Sequence, residues 1–280
     1  MPLPPDDAGL FDLERTGADA FRGFCIGGRR TQVFGGHLVA QSLRAAALAV
    51  GQTTVPHAVR TCFLGPGVTG TAIDYATRVL KEGRAFTVVE VHASQAERTL
   101  ASATVSWHRA EASGSHQTSA PLVPAPDGLP ALDLDTLGGP SPVYDTIDAR
   151  MADRFEPTDD GSAPWVRLWK RWRGPLGDDP LVHACAVAWM SDSSMTRVGA
   201  QPDRDAGRPV VHASLDHTVR FHGPVRADRW LLFDEVSPVR SGGRALVRGS
   251  IYDRSGTLVV STDQECLMRT PVGGQQPASG

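Results

Sequence analysis

The sequence predicts an α+β fold in which two antiparallel meander sheets each wrap around one central helix. Three observations lead there: a helix apolar on nearly every side, three strand-like runs directly after it, and a second half that echoes the first. The helix lies in Phe34–Val50, FGGHLVAQSLRAAALAV, where from Leu38 to Val50 only Arg44 is charged. Leu38, Ser42, Ala45 and Ala49 fall on one face and Val39, Leu43, Ala46 and Val50 on the next. A helix without a polar face is buried rather than laid on a surface. This one is too short to span a bilayer.

The elements follow in order. Val59–Leu64 reads as a strand that stops at Gly65-Pro66-Gly67. The string from Gly65 to Gly70 matches GxGxxG, but Pro66 removes an N–H where phosphates need donors. The next run, Thr71–Leu80, alternates like a strand, so no helix N-terminus follows to complete a dinucleotide site. A turn at Glu82-Gly83-Arg84 leads to strands at Phe86–Ser94 and Thr99–His108, completing a meander. From about Glu111 to Gly161 the chain turns rich in Pro, Gly, Ser and Asp, a connector crossing a surface with one short helix expected around Asp145–Phe155. Trp165–Arg173, WVRLWKRWR, reads as a strand with one buried and one solvated face rather than an RNA-binding stretch. Leu181–Met195 is predicted to be the second central helix. LDHTVRFHGP (Leu215–Pro224) then echoes VPHAVRTCFLGP (Val55–Pro66), and Gly243-Arg244-Ala245 echoes Gly83-Arg84-Ala85. Thr257–Arg269 takes the place of Thr99–Arg109. An internal repeat of this size decides architecture more strongly than local propensity. The expected organisation is an N-terminal unit over residues 1–110, a connector over 111–161, a C-terminal unit over 162–272 and a disordered tail over 273–280.

Composition narrows the function. The 280-residue chain is 41% hydrophobic with a net charge of −3, which argues against nucleic-acid binding through general basic charge. Lys occurs only at positions 81 and 170. Cys25, Cys62, Cys185 and Cys266 lie tens of residues apart with no CxxC pair, so they read as buried reduced thiols of a cytoplasmic protein rather than disulfides or metal ligands. The N-terminal residues MPLPPDDAGL lack the basic and apolar regions of a secretion signal, and QQPASG at the other end is no peroxisomal address. No membrane association, metal or cofactor is expected.

Three polar residues sit against the pattern. Asp192 lies on the stripe Leu181–Cys185–Ala188–Asp192–Met195, where it reads either as a helix-end cap within Ser191-Asp192-Ser193-Ser194 or as a functional carboxylate. Gln264 shares a strand face with Leu258, Val260, Thr262, Cys266 and Met268, so its amide points inward and needs partners. Ser214 is placed by alternation on a solvated face with His212, Asp216, Arg220 and His222, opposite Ala213, Leu215, His217, Val219 and Phe221. The three histidines recur every five residues and so point to alternating faces, against one shared metal site. His217 reads as a satisfied core histidine.

VFGGHLVAQSL, SAPLVPAPDGLP, SLDHTVRFHGP, ALVRGSIYDRSGTLVVSTDQECLMR and the Met190-Ser191-Asp192 helix together resemble the type II acyl-CoA thioesterases, over about Leu10 to Arg269 and in the same order. The resemblance implies a double hot-dog fold. It also implies a catalytic set of Asp, Ser or Thr, and Gln holding a hydrolytic water, which falls on Asp192, Ser214 and Gln264. All three belong to the second repeat, so one active site per chain is expected. Departures are His37 where the family usually has Gln after the glycine pair, Arg220 where Trp is frequent, and Ser214 where Thr is common. Acyl-CoA is then the expected substrate, and pairing of exposed sheet edges into a homo-oligomer is possible.

A CoA thiol has a pKa near ~8.5, so the leaving group needs little acid help and the main task is to position and deprotonate water. Gly35 and Gly36, at the helix N-terminus with His37, are the expected substrate-binding residues, their N–H groups available to a developing oxyanion. Two rival readings remain at this point: an enoyl-CoA hydratase pairing Asp192 with His37 or His217, and a non-catalytic acyl-CoA-binding protein. The sequence has no GxSxG for a serine hydrolase.

Overall fold

The structure, a computed structural model, describes residues 7–25, 31–132, 145–155 and 162–271. The expected disordered tail lies outside the described residues. In chain order the elements are β1 (Glu14–Arg15), β2 (Ala20–Gly23), α1 (Gly35–Val50), β3 (Ala58–Phe63), β4 (Ile73–Glu82), β5 (Phe86–Gln95) and β6 (Arg98–His108). They continue with β7 (Ile147–Arg154), β8 (Trp165–Trp172), α2 (Pro180–Ser191), α3 (Met195–Asp205), β9 (Val211–Ser214), β10 (Asp216–Phe221), β11 (Leu231–Ser241), β12 (Arg244–Tyr252) and β13 (Leu258–Arg269).

The two meanders join edge to edge into one sheet. Its order is β1-β2-β4-β5-β6-β3-β10-β13-β12-β11-β8-β7, with β9 on the far end of β13. The junction is the antiparallel pair β3–β10, where Val59 stands opposite Val219. These are matching positions of the two echoed segments, so the sequence repeat becomes a pseudo-twofold relation about that pair. Each half then reads outward in the same order, β6 matching β13, β5 matching β12 and β4 matching β11.

The sheet curls round α1 and α2, which pack against each other. Burial of α1 runs from Gly36 to Leu43 and again over Ala45–Ala47, as an apolar-all-round helix requires. The helix ends on Gly51 at φ 64°, whose N–H returns to the Ala47 carbonyl. Helix α2 starts conventionally, with Pro180 in its first turn and the Asp179 side chain accepting from the Leu181 N–H at 2.9 Å.

Four expectations need correction. The predicted helix Leu181–Met195 stops at Ser191. Ser191 and Ser193 hydroxyls donate to the carbonyls of Ala188 and Met190, competing with the backbone ladder. Beyond the break lies α3, whose polar sequence with Gly199 and Pro202 carries little helical signal. The helix expected near Asp145–Phe155 is strand β7, because the open edge of β8 pairs with it from Ile147↔Trp172 onward and overrides local propensity. Strand β8 has both faces covered rather than one solvated: Leu168, Trp169 and Lys170 are all buried. The connector supplies the outer cover, with Ala120, Val123 and Leu129 packed over Trp169, Trp230, Leu232 and Tyr252, and the Trp169 indole donating to the Pro124 carbonyl at 2.9 Å. Finally, the cysteines are free as expected, but Cys62 is exposed and only Cys185 and Cys266 are buried.

Candidate active site

Helix α1 and helix α2 meet at the glycine pair. A side chain on Gly36 would collide with the Trp189 carbonyl of α2, and one on Gly35 would come within 2.7 Å of an Asp192 carboxylate oxygen. Phe34, just ahead of the helix, packs edge-on against Trp189 with centroids 4.9 Å apart. Glycine at both positions is therefore what lets the N-terminus of α1 touch the C-terminus of α2. Phe34 offers no side-chain cap. The cap comes from the other repeat instead: Asp192 Oδ2 accepts the Gly36 N–H at 2.8 Å. A carboxylate at a helix N-terminus is favoured by both the unpaired N–H groups and the macrodipole. Asp192 is thus both the residue that terminates α2 and a carboxylate oriented across the repeat boundary.

The other oxygen of Asp192 accepts from the Ser214 hydroxyl at 3.1 Å, and the Ser214 oxygen in turn accepts from the Gln264 amide at 2.6 Å. The donors form a one-way chain, Gln264 to Ser214 to Asp192, with both carboxylate oxygens as acceptors. Gln264 is fully buried on the inner face of β13, as its strand alternation required. Its amide oxygen has no hydrogen-bond partner among the described residues.

Ser214 arrives by a route that alternation misread. Ser214 stands opposite Cys266, and Thr218 opposite Asp263. Three residues, Leu215, Asp216 and His217, therefore face two, Gln264 and Glu265. The extra residue is a bulge, and it turns over every side chain before it. Ser214 comes onto the inward face shared by Val219 and Phe221, while Ala213, expected inside, is exposed. A bulge leaves no compositional mark in this run, so period-two reasoning could not find it.

The histidines are occupied elsewhere. His217 is fully buried and its Nε2 lies 2.7 Å from Ser191 Oγ. Ser191 already gives its proton to the Ala188 carbonyl, so the imidazole is the donor. Burial pulls the His217 pKa down to about 4, against the opposing side chain of Gln264 and charge of Asp263, and the ring is neutral near pH 7. The core reading of His217 matches this geometry, with Nε2 satisfied and Nδ1 without a hydrogen-bond partner among the described residues. His37 is likewise buried, with Nε2 2.8 Å from the Phe24 carbonyl and a pKa lowered by burial to about 4. Gln41 donates to the same carbonyl at 3.0 Å and accepts from the Tyr75 hydroxyl at 2.7 Å. His37 therefore ties α1 to the chain after β2. The expected free N–H of Gly36 is likewise committed, to Asp192. Arg220, the other departure from the family pattern, pairs with Asp263 at 2.6 Å on the outer face. No helix among the described residues is long and apolar enough to cross a membrane.

Comparison with known proteins agrees with this architecture. Residues 27–108 match the acyl-CoA thioesterase N-terminal domain and residues 117–268 the acyl-CoA thioesterase C-terminal domain. The chain is 30% identical to acyl-coenzyme A thioesterase 8 of Homo sapiens, covering 93% of this chain and 88% of that protein. It is 29% identical to acyl-CoA thioesterase 2 of Haemophilus influenzae, covering 93% and 96%. Among solved structures, the acyl-CoA thioesterase II TesB2 of Mycobacterium marinum superposes with a TM-score of 0.80 at 32% identity, covering 96% of this chain and 98% of that one. With both domains of the family matched in order along one double hot-dog chain, the protein belongs to the acyl-CoA thioesterase family and is a thioester hydrolase.

Proposed function

We propose that the chain hydrolyses acyl-CoA to a free fatty acid and CoA by direct attack of water, with Asp192 as general base and Ser214 and Gln264 holding that water. The observation that carries this reading is that Gly36 and Ser214 each donate to one oxygen of the Asp192 carboxylate and Gln264 donates to Ser214, through contacts of 2.6–3.1 Å. A carboxylate offers about four lone-pair positions. Gly36 and Ser214 take one on each oxygen, which fixes the group's plane and leaves acceptor capacity for a water proton. Ser214 and Gln264 then orient the water rather than attack. Ser214 donates its own proton to the Asp192 carboxylate and accepts from Gln264, so the hydroxyl proton is directed to a carboxylate rather than to the imidazole base of a nucleophilic serine. Gly35 lets the first turn of α1 close on the carboxylate where a methyl group would not fit, and that turn supplies the positive end of a dipole toward the developing oxyanion. His37 acts on substrate indirectly, by holding the chain ahead of α1.

The hydratase alternative pairs Asp192 with a histidine, yet His37 and His217 both direct Nε2 to other partners. The test is thiol release from acyl-CoAs of short to long chain, by wild type and Asp192→Asn. Loss of a general base lowers kcat by about 10²–10⁴. Near-full turnover in Asp192→Asn would move the role to another residue. Hydration of crotonyl-CoA without thiol release would replace the reaction altogether.

A further inference from the structure

At Ser193 and Ser194, directly after Asp192 in the chain, lies a buried ion pair. Lys170 on β8 is fully buried among the inner-face residues Val166, Leu168 and Trp172 of its own strand. Its ammonium donates to Ser194 Oγ at 2.6 Å, Ser193 Oγ at 3.1 Å and Glu235 Oε1 at 3.4 Å, and sits 4.2 Å from the centre of the Phe233 ring. Every proton is accounted for. Ser193 gives its own to the Met190 carbonyl and Ser194 gives its own to Glu235 at 2.6 Å, so both hydroxyls must accept from the lysine. Three tetrahedral donors meet three acceptors, a geometry that the planar fork of arginine does not match. That accounts for a lysine here in a chain whose other cations, Lys81 aside, are all arginine.

Stability does not explain the pair. Apolar residues of similar volume in place of a buried ion pair are often neutral or stabilising, because desolvation costs several kcal/mol per ion. Location does offer an explanation, since Ser193 and Ser194 are the two residues that follow Asp192 in the break between α2 and α3. Resting on the reading of Asp192 as the base, we propose that Lys170, held by Glu235, is a positioning residue. It pins the Ser193–Ser194 turn so that the Asp192 carboxylate meets Gly36 and Ser214, and it places a cation within electrostatic reach of that carboxylate.

Among the groups near Asp192, Lys170 is a cation whose ammonium contacts the turn directly. On β13 the Cys266 thiol is pushed up by burial and stays neutral, and on β10 His217 is neutral. Glu235 on β11 is the ammonium's counter-ion. Arg197 stands in the first turn of α3, its N–H returning to the Ser194 carbonyl. On α1 the helix N-terminus faces Asp192 with Gly36. Burial lowers the Lys170 pKa, and the charges of Glu235 and Asp192 oppose that, so the ammonium and the Asp192 carboxylate favour each other's charged forms.

The experiment compares Lys170→Met, Lys170→Met/Glu235→Leu and Asp192→Asn by Tm and by kcat and KM across pH. The base must be ionised, so activity is lost as pH falls through its pKa. Removing the cation raises that pKa, and the acid limb of the kcat profile moves to higher pH in Lys170→Met. Plateau kcat falls about tenfold or more from misplacement of the carboxylate, with KM within about twofold because no substrate contact is lost. The paired variant leaves no buried charge uncompensated and keeps the wild-type Tm or exceeds it. It serves if Lys170→Met does not fold, and it too loses about tenfold in kcat. Wild-type kcat and an unmoved acid limb in a folded Lys170 variant, beside an inactive Asp192→Asn, overturn the positioning role alone. An active Asp192→Asn overturns the base assignment and this inference with it.

Discussion

Gly35→Ala tests the contact between the two repeats most directly. The new methyl would lie 2.7 Å from Asp192 Oδ2 and 3.0 Å from the Phe63 ring, where ordinary contact begins at 3.4 Å. Relief needs a shift of about 0.7 Å, which the carboxylate side chain makes more readily than the helix backbone. The same oxygen accepts the Gly36 N–H at 2.8 Å, so the shift stretches that bond to about 3.5 Å, beyond useful length. Overpacking of this kind costs about 1–3 kcal/mol, read as a fall of a few degrees in Tm. A misplacement approaching 1 Å in a catalytic group costs up to about 10²-fold, so kcat should drop about 10- to 100-fold. The assay is thiol release at saturating acyl-CoA, alongside a thermal melt. Gly51→Ala is the control: its φ of 64° strains an added side chain but nothing lies within 4 Å, so it should lower Tm and leave kcat alone. If Gly35→Ala loses Tm like the control while keeping kcat within about twofold of wild type, the carboxylate does not depend on this contact, and the argument fails.

The remaining predictions concern the other site residues. Ser214→Thr should retain activity because the hydroxyl survives, and Ser214→Ala should lose a modest factor. A stoichiometric burst of thiol, or an acyl group mapped to Ser214 by mass spectrometry, would replace direct hydrolysis with a covalent route. Gln264→Ala should lower both kcat and Tm, since it opens a cavity on a fully buried strand face and removes the donor to Ser214. The stability part is about 1–3 kcal/mol, and an unchanged melt would count against the inward amide. Unfolding by urea should become easier as pH falls from 6.5 toward 4, because His37 and His217 stay neutral when buried while the unfolded chain takes up protons. That stability is full above pH 6.5, is lost as pH falls toward the folded pKa, and amounts to about 3 kcal/mol per histidine as an upper bound. His37→Gln should flatten the slope, and an identical slope would remove His37 from the account.

What the residues determined by themselves was the architecture and two of the three polar positions. An apolar-all-round helix has to be wrapped, an echoed half has to build the same unit again, and Gln264 on an apolar strand face has to point inward. These follow from periodicity, which is a local property. The family resemblance added Ser214 and the expectation of a shared water. Tertiary structure decided the rest. Alternation could not foresee the bulge at Leu215–His217, because an extra residue is registered only against the partner strand β13. It did not single out Lys170, because the acceptors that make its burial possible come from Glu235 and the serines after Asp192. Strand β7 and the cover over Trp169 likewise exist only because a distant edge and face were open. The physical reason is common to all of these. A polar group or a strand takes its place from hydrogen-bond partners far along the chain, and the Gly36 N–H meeting Asp192 across 156 residues is the case on which the site depends.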